Sequence, residues 1–209
     1  PGNVGSATAA TGFNVANSCR FDTASGDFLN RAQGTGNADV FTVSVWIKRI
    51  DLGESGIFIV FTNASNYTKF GIDANNKLKY DDYQAAQKAD LVSTQVLRDT
   101  SAWYHLVCGV NTGNSTEADR VKFWINGERV SSFVTNTQYS LNQDTMVNKG
   151  GVGIINKLQN NAVGKSSYMA EYVFIDGQQL DADQFGEFDS DSGIWKPINV
   201  SGLTFGNNG

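Results

Sequence analysis

Residues Trp103 to Val130 read WYHLVCGVNTGNSTEADRVKFWINGERV. Trp103 to Val110 is rich in aromatic and β-branched side chains, which suit a pleated, half-buried surface. Asn111 to Asp119 is polar, with no apolar residue larger than Ala118, and predicts a solvated loop. Val121, Phe123 and Ile125 alternate with Lys122 and Trp124, the period of a strand with one face in a core. Asn126-Gly127 follows, two residues that accept the positive φ of a type I′ hairpin turn. A strand, a loop, a second strand and a tight turn point to antiparallel β structure.

The pattern repeats on either side. In Phe41 to Lys48, Phe41, Val43, Val45 and Ile47 face one way, and Thr42, Ser44, Trp46 and Lys48 the other. Ile57 to Phe61 is a continuous apolar run, as in a strand covered on both faces. Phe13 to Phe21, Leu91 to Leu97, Gly151 to Ile155 and Tyr168 to Ile175 read as further strands, the last ending at the turn Asp176-Gly177. Tyr67 to Asp73 and Lys77 to Tyr83 predict a hairpin about Asn75-Asn76. Phe133 opens a long connection rich in Asn, Gln and Thr. The one helical signal has Asp181 as cap, Gln184 completing a capping box and Gly186 as the stop, with Leu180 and Phe185 pinning the turn to the sheets. The expected fold is all-β, a two-sheet antiparallel jelly-roll sandwich with one short C-terminal helical turn. A single domain over residues 1–209 is expected, with its core at about 13–196 and a tail at 197–209 leading on in a longer protein.

Charge narrows the function classes. The net charge is −5 and no Lys/Arg cluster exceeds Lys48-Arg49, so nucleic acid finds no electrostatic footprint. The longest apolar run is too short to span a bilayer, so no membrane insertion is expected. The chain opens at Pro1 with no leader-like segment. Cys19 and Cys108 read as small buried strand residues with inert thiols, a disulfide between them being the alternative. His105, the sole histidine, sits beside Trp103 and Tyr104 and reads as a packing residue.

Four ordered segments carry a resemblance: FTVSVWIKR (Phe41 to Arg49), WYHLVCGV (Trp103 to Val110), VKFWINGERV (Val121 to Val130) and YMAEYVFIDGQQLDADQFGEF (Tyr168 to Phe188). Together they resemble the concanavalin A-like jelly-roll superfamily, in its laminin-G-like and pentraxin-like branch. FIDGQQLDADQFGEFDSDSGIWKP, from Phe174 to Pro197, is similar to lectin-like domains in structural proteins of marine and environmental tailed phages. The resemblance implies two antiparallel sheets packed face to face, with ligands met at a rim or on a concave face. It also implies a virion protein, extracellular on the particle, with other virion proteins and cell-surface glycans as partners and a homo-oligomeric assembly. Calcium is held by loop carboxylates in many relatives, which leaves a weak site open at Asp73, Asp81 or Asp82; no other cofactor is expected.

The site decides function, since this fold hosts lectins, hydrolases and structural modules alike. A retaining glycosidase needs two carboxyl groups about 5 Å apart. The nearest match to the superfamily pattern E-x-D-x-x-E is Glu187-Phe-Asp189-Ser-Asp191-Ser192, which has Ser192 where the second Glu belongs. No enzyme is expected. Sugar binding needs an aromatic platform with hydrogen-bonding side chains around it. The expected ligand face is Tyr67, Asp73, Tyr80, Asp82, Tyr83 and Gln84. Trp46 and Trp124, on the polar sides of their strands, are expected to be covered by loops. The resulting expectation is a non-enzymatic virion adhesion module, with a purely structural fibre-assembly or decoration unit and a divergent polysaccharide-active enzyme as alternatives.

Overall fold

The computed structural model describes residues 13–209; residues 1–12, with which the expected domain begins, lie outside the described part. In chain order the strands are Cys19–Phe21 (β1), Leu29–Ala32 (β2), Val40–Arg49 (β3), Ser55–Asn63 (β4), Asn66–Ile72 (β5), Lys77–Gln84 (β6), Gln87–Val96 (β7) and Trp103–Asn111 (β8). They continue as Val121–Ile125 (β9), Glu128–Arg129 (β10), Phe133–Thr137 (β11), Val152–Ile155 (β12), Ser167–Asp176 (β13), Gly186–Phe188 (β14) and Trp195–Pro197 (β15). The order β1-β13-β3-β8-β9-β10 makes a front sheet, β11-β7-β6-β5-β4-β12-β2 a back sheet, and β14 pairs with β15 alone. All these pairings are antiparallel, so the chain is the two-sheet all-β sandwich that its alternation predicts.

The period of two builds the main core. Phe41, Val43, Val45 and Ile47 of β3 and Leu106, Cys108 and Val110 of β8 meet Phe70 and Ile72 of β5, Leu78 and Tyr80 of β6 and Leu91 of β7, all essentially solvent-free. Each such side chain contributes about 1.5–3 kcal/mol relative to exposure, so these strands hold the sheets together. β4 is covered on both faces, as its apolar run predicts: Ile57 and Phe58 join the main core and Ile59 is also buried. Its other side meets the loop after β12, where a Cβ on Gly56 would lie 1.8 Å from the Lys157 carbonyl oxygen. The Asn126-Gly127 turn has φ of 51° and 82°, as its sequence predicts, and joins β9 to β10.

Several expectations are corrected. Only Cys19–Phe21 of the expected Phe13 to Phe21 strand is extended in a sheet. The expected connection after Phe133 begins with β11, which pairs with β7 through a bulge. β2, β14 and β15 are short strands with no alternation to announce them. The C-terminal helical turn is a single 3-10 turn, Ala182–Gln184, and Asp181 makes no side-chain cap. Its carboxylate instead pairs with Lys122 Nζ at 2.8 Å. Cys19 is exposed rather than buried, while Cys108 lies in the core; both are free thiols.

The segment after β13 forms a strap over the outer face of the front sheet. A second core lies beneath it, joining Val107, Trp124, Val173 and Ile175 to Ala182 and Phe185, with Leu180, Trp195, Leu203 and Phe205 packed against them. The front sheet is therefore apolar on both sides over much of its area. Trp195 lies so close that a Cβ on Gly127 would stand 2.4 Å from its ring, which, with that residue's positive φ, leaves glycine as the fitting side chain.

Candidate functional site

The structure divides the expected ligand face along the pleat. β5 and β6 pair as Tyr67↔Tyr83, Thr68↔Asp82, Lys69↔Asp81 and Phe70↔Tyr80. Phe70 and Tyr80 belong to the main core, so Thr68 and Asp82 point inward with them. Tyr80 and Asp82 are thus corrected from ligand residues to interior ones, beyond the reach of a sugar. The Tyr80 and Tyr139 hydroxyls lie 2.7 Å apart, and Tyr139 donates to Asp82 Oδ2 at 2.7 Å. Thr68 and Gln84 Nε2 also donate to Asp82. Burial pushes the Asp82 carboxyl upward from its ordinary pKa, against the pull of these hydrogen bonds.

Tyr67 and Tyr83 do share the outer face, with ring centroids 6.3 Å apart. Its polar groups engage one another. Tyr67 donates to Asp81 Oδ2 at 3.0 Å, Gln87 Nε2 donates to Asp81 Oδ1 at 2.8 Å, and Lys79 Nζ lies 3.1 Å from Asp81 and 3.4 Å from Asp90. Asp73 Oδ1 accepts from the Asn75 and Lys77 amides and closes the β5–β6 turn. Gln84 spans Asp82 and the Asp144 carbonyl. The six residues therefore do not converge on one opening. Asp81 and Asp82 spend both carboxylate oxygens and Asp73 its Oδ1 on the chain itself, and no cluster of three or more His, Cys, Asp or Glu suited to a cation forms among the described residues.

The acidic motif near the C-terminus is similarly engaged. Glu187 is exposed on β14, while Asp189 starts the turn to β15 and accepts from the Asp191 and Ser192 amides, the Ser192 hydroxyl and Lys196. The Ser192 and Asp191 amides and Lys196 hold its carboxyl well below the usual carboxylate range. The motif lies in a hairpin, so no strand aligns its acids on one face.

The outer face of the front sheet offers a different arrangement. Cross-strand pairs Trp46↔His105, Lys48↔Trp103 and Ala170↔Trp46 set two indoles diagonally across β3 and β8. Trp46 stacks on His105 at 4.9 Å, which anchors one ring face. Its remaining surface, with Trp103, Ala170, Pro197 and residues 15–18, lines a groove of about 350 Å³. Trp103 is 37% exposed, whereas Trp124 is 5% exposed in the second core. Trp124 is therefore covered, as expected, but Trp46 is shared between packing and an open groove. Trp103 was missing from the expected site, although the phase of Tyr104, Leu106, Cys108 and Val110 already placed it on the outer face. Indole faces flanked by the Asn17 amide and the Ser18 hydroxyl can pack the apolar side of a pyranose and bond its hydroxyls.

His105 supports this groove from beneath. Trp195 Nε1 donates to His105 Nδ1 at 2.9 Å, and an indole N–H can only donate, so Nδ1 is unprotonated. The proton sits on Nε2, which donates to Ser44 Oγ at 2.9 Å. Burial pushes the imidazole pKa down to about 3. This depression means that the unfolded state binds the proton first. The contribution of His105 is present in full well above pH 6.5 and is lost as pH drops from 6.5 towards 3, by up to about 1.4 kcal/mol per pH unit. Urea unfolding at pH 7, 6 and 5 should show this loss, with His105→Gln flattening the slope. An unchanged slope in the variant would exclude His105 as its source.

A family model described as the concanavalin A-like lectin/glucanases superfamily matches residues 23–157. No curated protein sequence matches the chain. Among solved structures, the chain is similar to a pentraxin of Limulus polyphemus, with 15% identity, a TM-score of 0.51 and coverage of 87% of this chain and 86% of that one. The mouse laminin α1 LG4-5 domains give 12% identity and a TM-score of 0.57, covering 94% of this chain and 48% of theirs. Domain 4 of a Geobacillus stearothermophilus extracellular arabinanase, solved in complex with arabinotriose, gives 15% identity, a TM-score of 0.50 and coverage of 74% and 70%. At these identities the structures speak for the fold, while the family match spans more than half of the sequence. The chain belongs to the concanavalin A-like lectin/glucanase superfamily.

Proposed function

We propose that this domain is a non-enzymatic carbohydrate-binding module whose groove between Trp46 and Trp103 seats the apolar face of a sugar. The observation that carries this reading is the diagonal pair of indoles, one anchored on His105 and the other open to solvent. The arabinotriose bound by a domain of similar fold supports it. The resemblance of Phe174 to Pro197 to phage structural domains supports display on a virion, on a tail fibre, spike or capsid. Cell-surface glycans and other virion proteins are then the partners, within a homo-oligomeric assembly.

A glycan array probed with the domain should give a signal that Trp103→Ala weakens about tenfold or more, at unchanged thermal stability. Tyr83→Ala, on the opposite sheet, should leave it intact. No signal on any glycan, or a signal indifferent to Trp103, would reject the groove as the site. Mass spectrometry of purified particles tests the virion assignment, and absence of the chain from them would reject it.

A further inference from the structure

A larger opening lies where the two sheets part, away from the tryptophan groove. Between β2 and β12 on one side and β13 on the other is a cleft of about 590 Å³. Phe58, Phe174, Ile155 and Leu29 form its walls, the two phenyl rings standing 5.2 Å apart. Leu29, Ile155 and Tyr172 also line an adjoining lobe of about 470 Å³ that reaches Cys19 and Met169. The two lobes share Leu29, Ile155 and Tyr172 and together make a trough along the sandwich edge.

The backbone of β13 is bent to make it. A bulge lies between Ala170 and Val173, with Glu171 at φ 46°, a left-handed conformation that costs a non-glycine residue energy. The bulge resets the alternation, so that Met169, Tyr172 and Phe174 all pack against the main core while Ala170 and Val173 point away from it. The Tyr172 hydroxyl is sealed from solvent and has no hydrogen-bond partner among the described residues. The strained backbone of Glu171 and the unmet hydroxyl of Tyr172 thus fall on neighbouring residues where the two lobes adjoin.

Charge at the trough comes from Arg31 in the larger lobe and Glu171 in the smaller one. Arg31 lies on its rim, exposed, and the sole hydrogen bond of its guanidinium among the described residues is a 3.3 Å contact with the Gly209 carbonyl. No Asp or Glu side chain stands within ion-pair distance of it among those residues. Gln33 and Asn208, also on the lining, are committed to the Asn148 amide and to Asp176 and Gly34. An exposed guanidinium on the rim of a mainly apolar trough, with the carboxylate of Glu171 confined to the smaller lobe, matches an aliphatic chain carrying a single acid group.

We infer that the trough binds a long-chain aliphatic carboxylate, its hydrocarbon along Phe58, Phe174, Ile155 and Tyr172 and its carboxylate on Arg31. The probe is dodecanoate below its micellar concentration, with dodecanol as the neutral control, followed by titration calorimetry. Saturable one-to-one binding is expected, weakened about tenfold by Arg31→Gln and abolished by Leu29→Trp, which plugs the mouth from an exposed position. Dodecanol affinity should not respond to Arg31→Gln, and Trp103→Ala should leave dodecanoate binding unchanged. Absence of saturable binding, or binding indifferent to Leu29→Trp, overturns the site. Equal dodecanoate affinity in Arg31→Gln overturns the carboxylate assignment. Thermal unfolding of each variant verifies that the fold is retained.

Discussion

Arg49→Ala is expected to remove about 4 kcal/mol of folding stability. Arg49, at the end of β3, is only 1% exposed, yet no carboxylate pairs with it among the described residues. Its charge rests on neutral acceptors: Nη1 donates to the Leu97 carbonyl at 2.6 Å and to Asn76 Oδ1 at 2.8 Å, and Nη2 donates to the Gly53 carbonyl at 2.6 Å. Burial lowers its pKa from the ordinary guanidinium value, in keeping with a cation far from water. Truncation leaves three acceptors short of a donor and opens a cavity, each a separate loss. Arg49→Met fills the space without donating, so it should recover the packing part alone. Lysine, a single point donor, cannot serve three directions and should remain well below wild type. Urea unfolding at pH 7 measures all three, and a loss below about 1 kcal/mol for alanine would show that water replaces the guanidinium.

Asp82→Ala should cost about 3 kcal/mol, because Tyr139, Thr68 and Gln84 all lose their shared acceptor. Asp82→Asn keeps an amide oxygen for Tyr139 and should recover part of the loss. Sugar binding by the molecules that remain folded should be unaffected, since Asp82 faces the main core. If Asp82→Ala kept wild-type stability but abolished glycan binding, its interior role would be wrong and a ligand role would return.

The Asp82 case shows how far the sequence could be read. In β6, Leu78 and Tyr80 already assign Asp82 to the buried phase, but an aspartate in a core is so unfavourable that the outward reading was the natural one. What reverses the preference is a pair of hydroxyls from Thr68, 14 residues away, and Tyr139, 57 residues away. No local pattern encodes that meeting. The strands β3, β8 and β9 were legible because their alternation is a property of each segment alone. The strap was not, since Trp195 sits in a Gly- and Asp-rich stretch and finds its partner in His105, 90 residues earlier. The groove was half legible: Trp46 stood out on a polar strand face, but Trp103 was absorbed into the description of its strand as aromatic and packed. The trough was not legible at all, because it depends on a bulge in β13 and on two short edges that carry no periodicity.

The strap also bears on how the module would carry a load. Its far end is tied down by Asn208, which bonds Gly34 and Asp176. Tension applied from the Gly209 side would meet the Arg31 contact and then those bonds before peeling residues 178–205 from the front sheet, beginning at the end where Phe205 and Leu203 pack. The strap holds about 90 Å of chain when drawn out. The sheets behind it keep their own core, built from different side chains. The domain thus contains a slack line that could lengthen under a jolt while the sandwich stays closed.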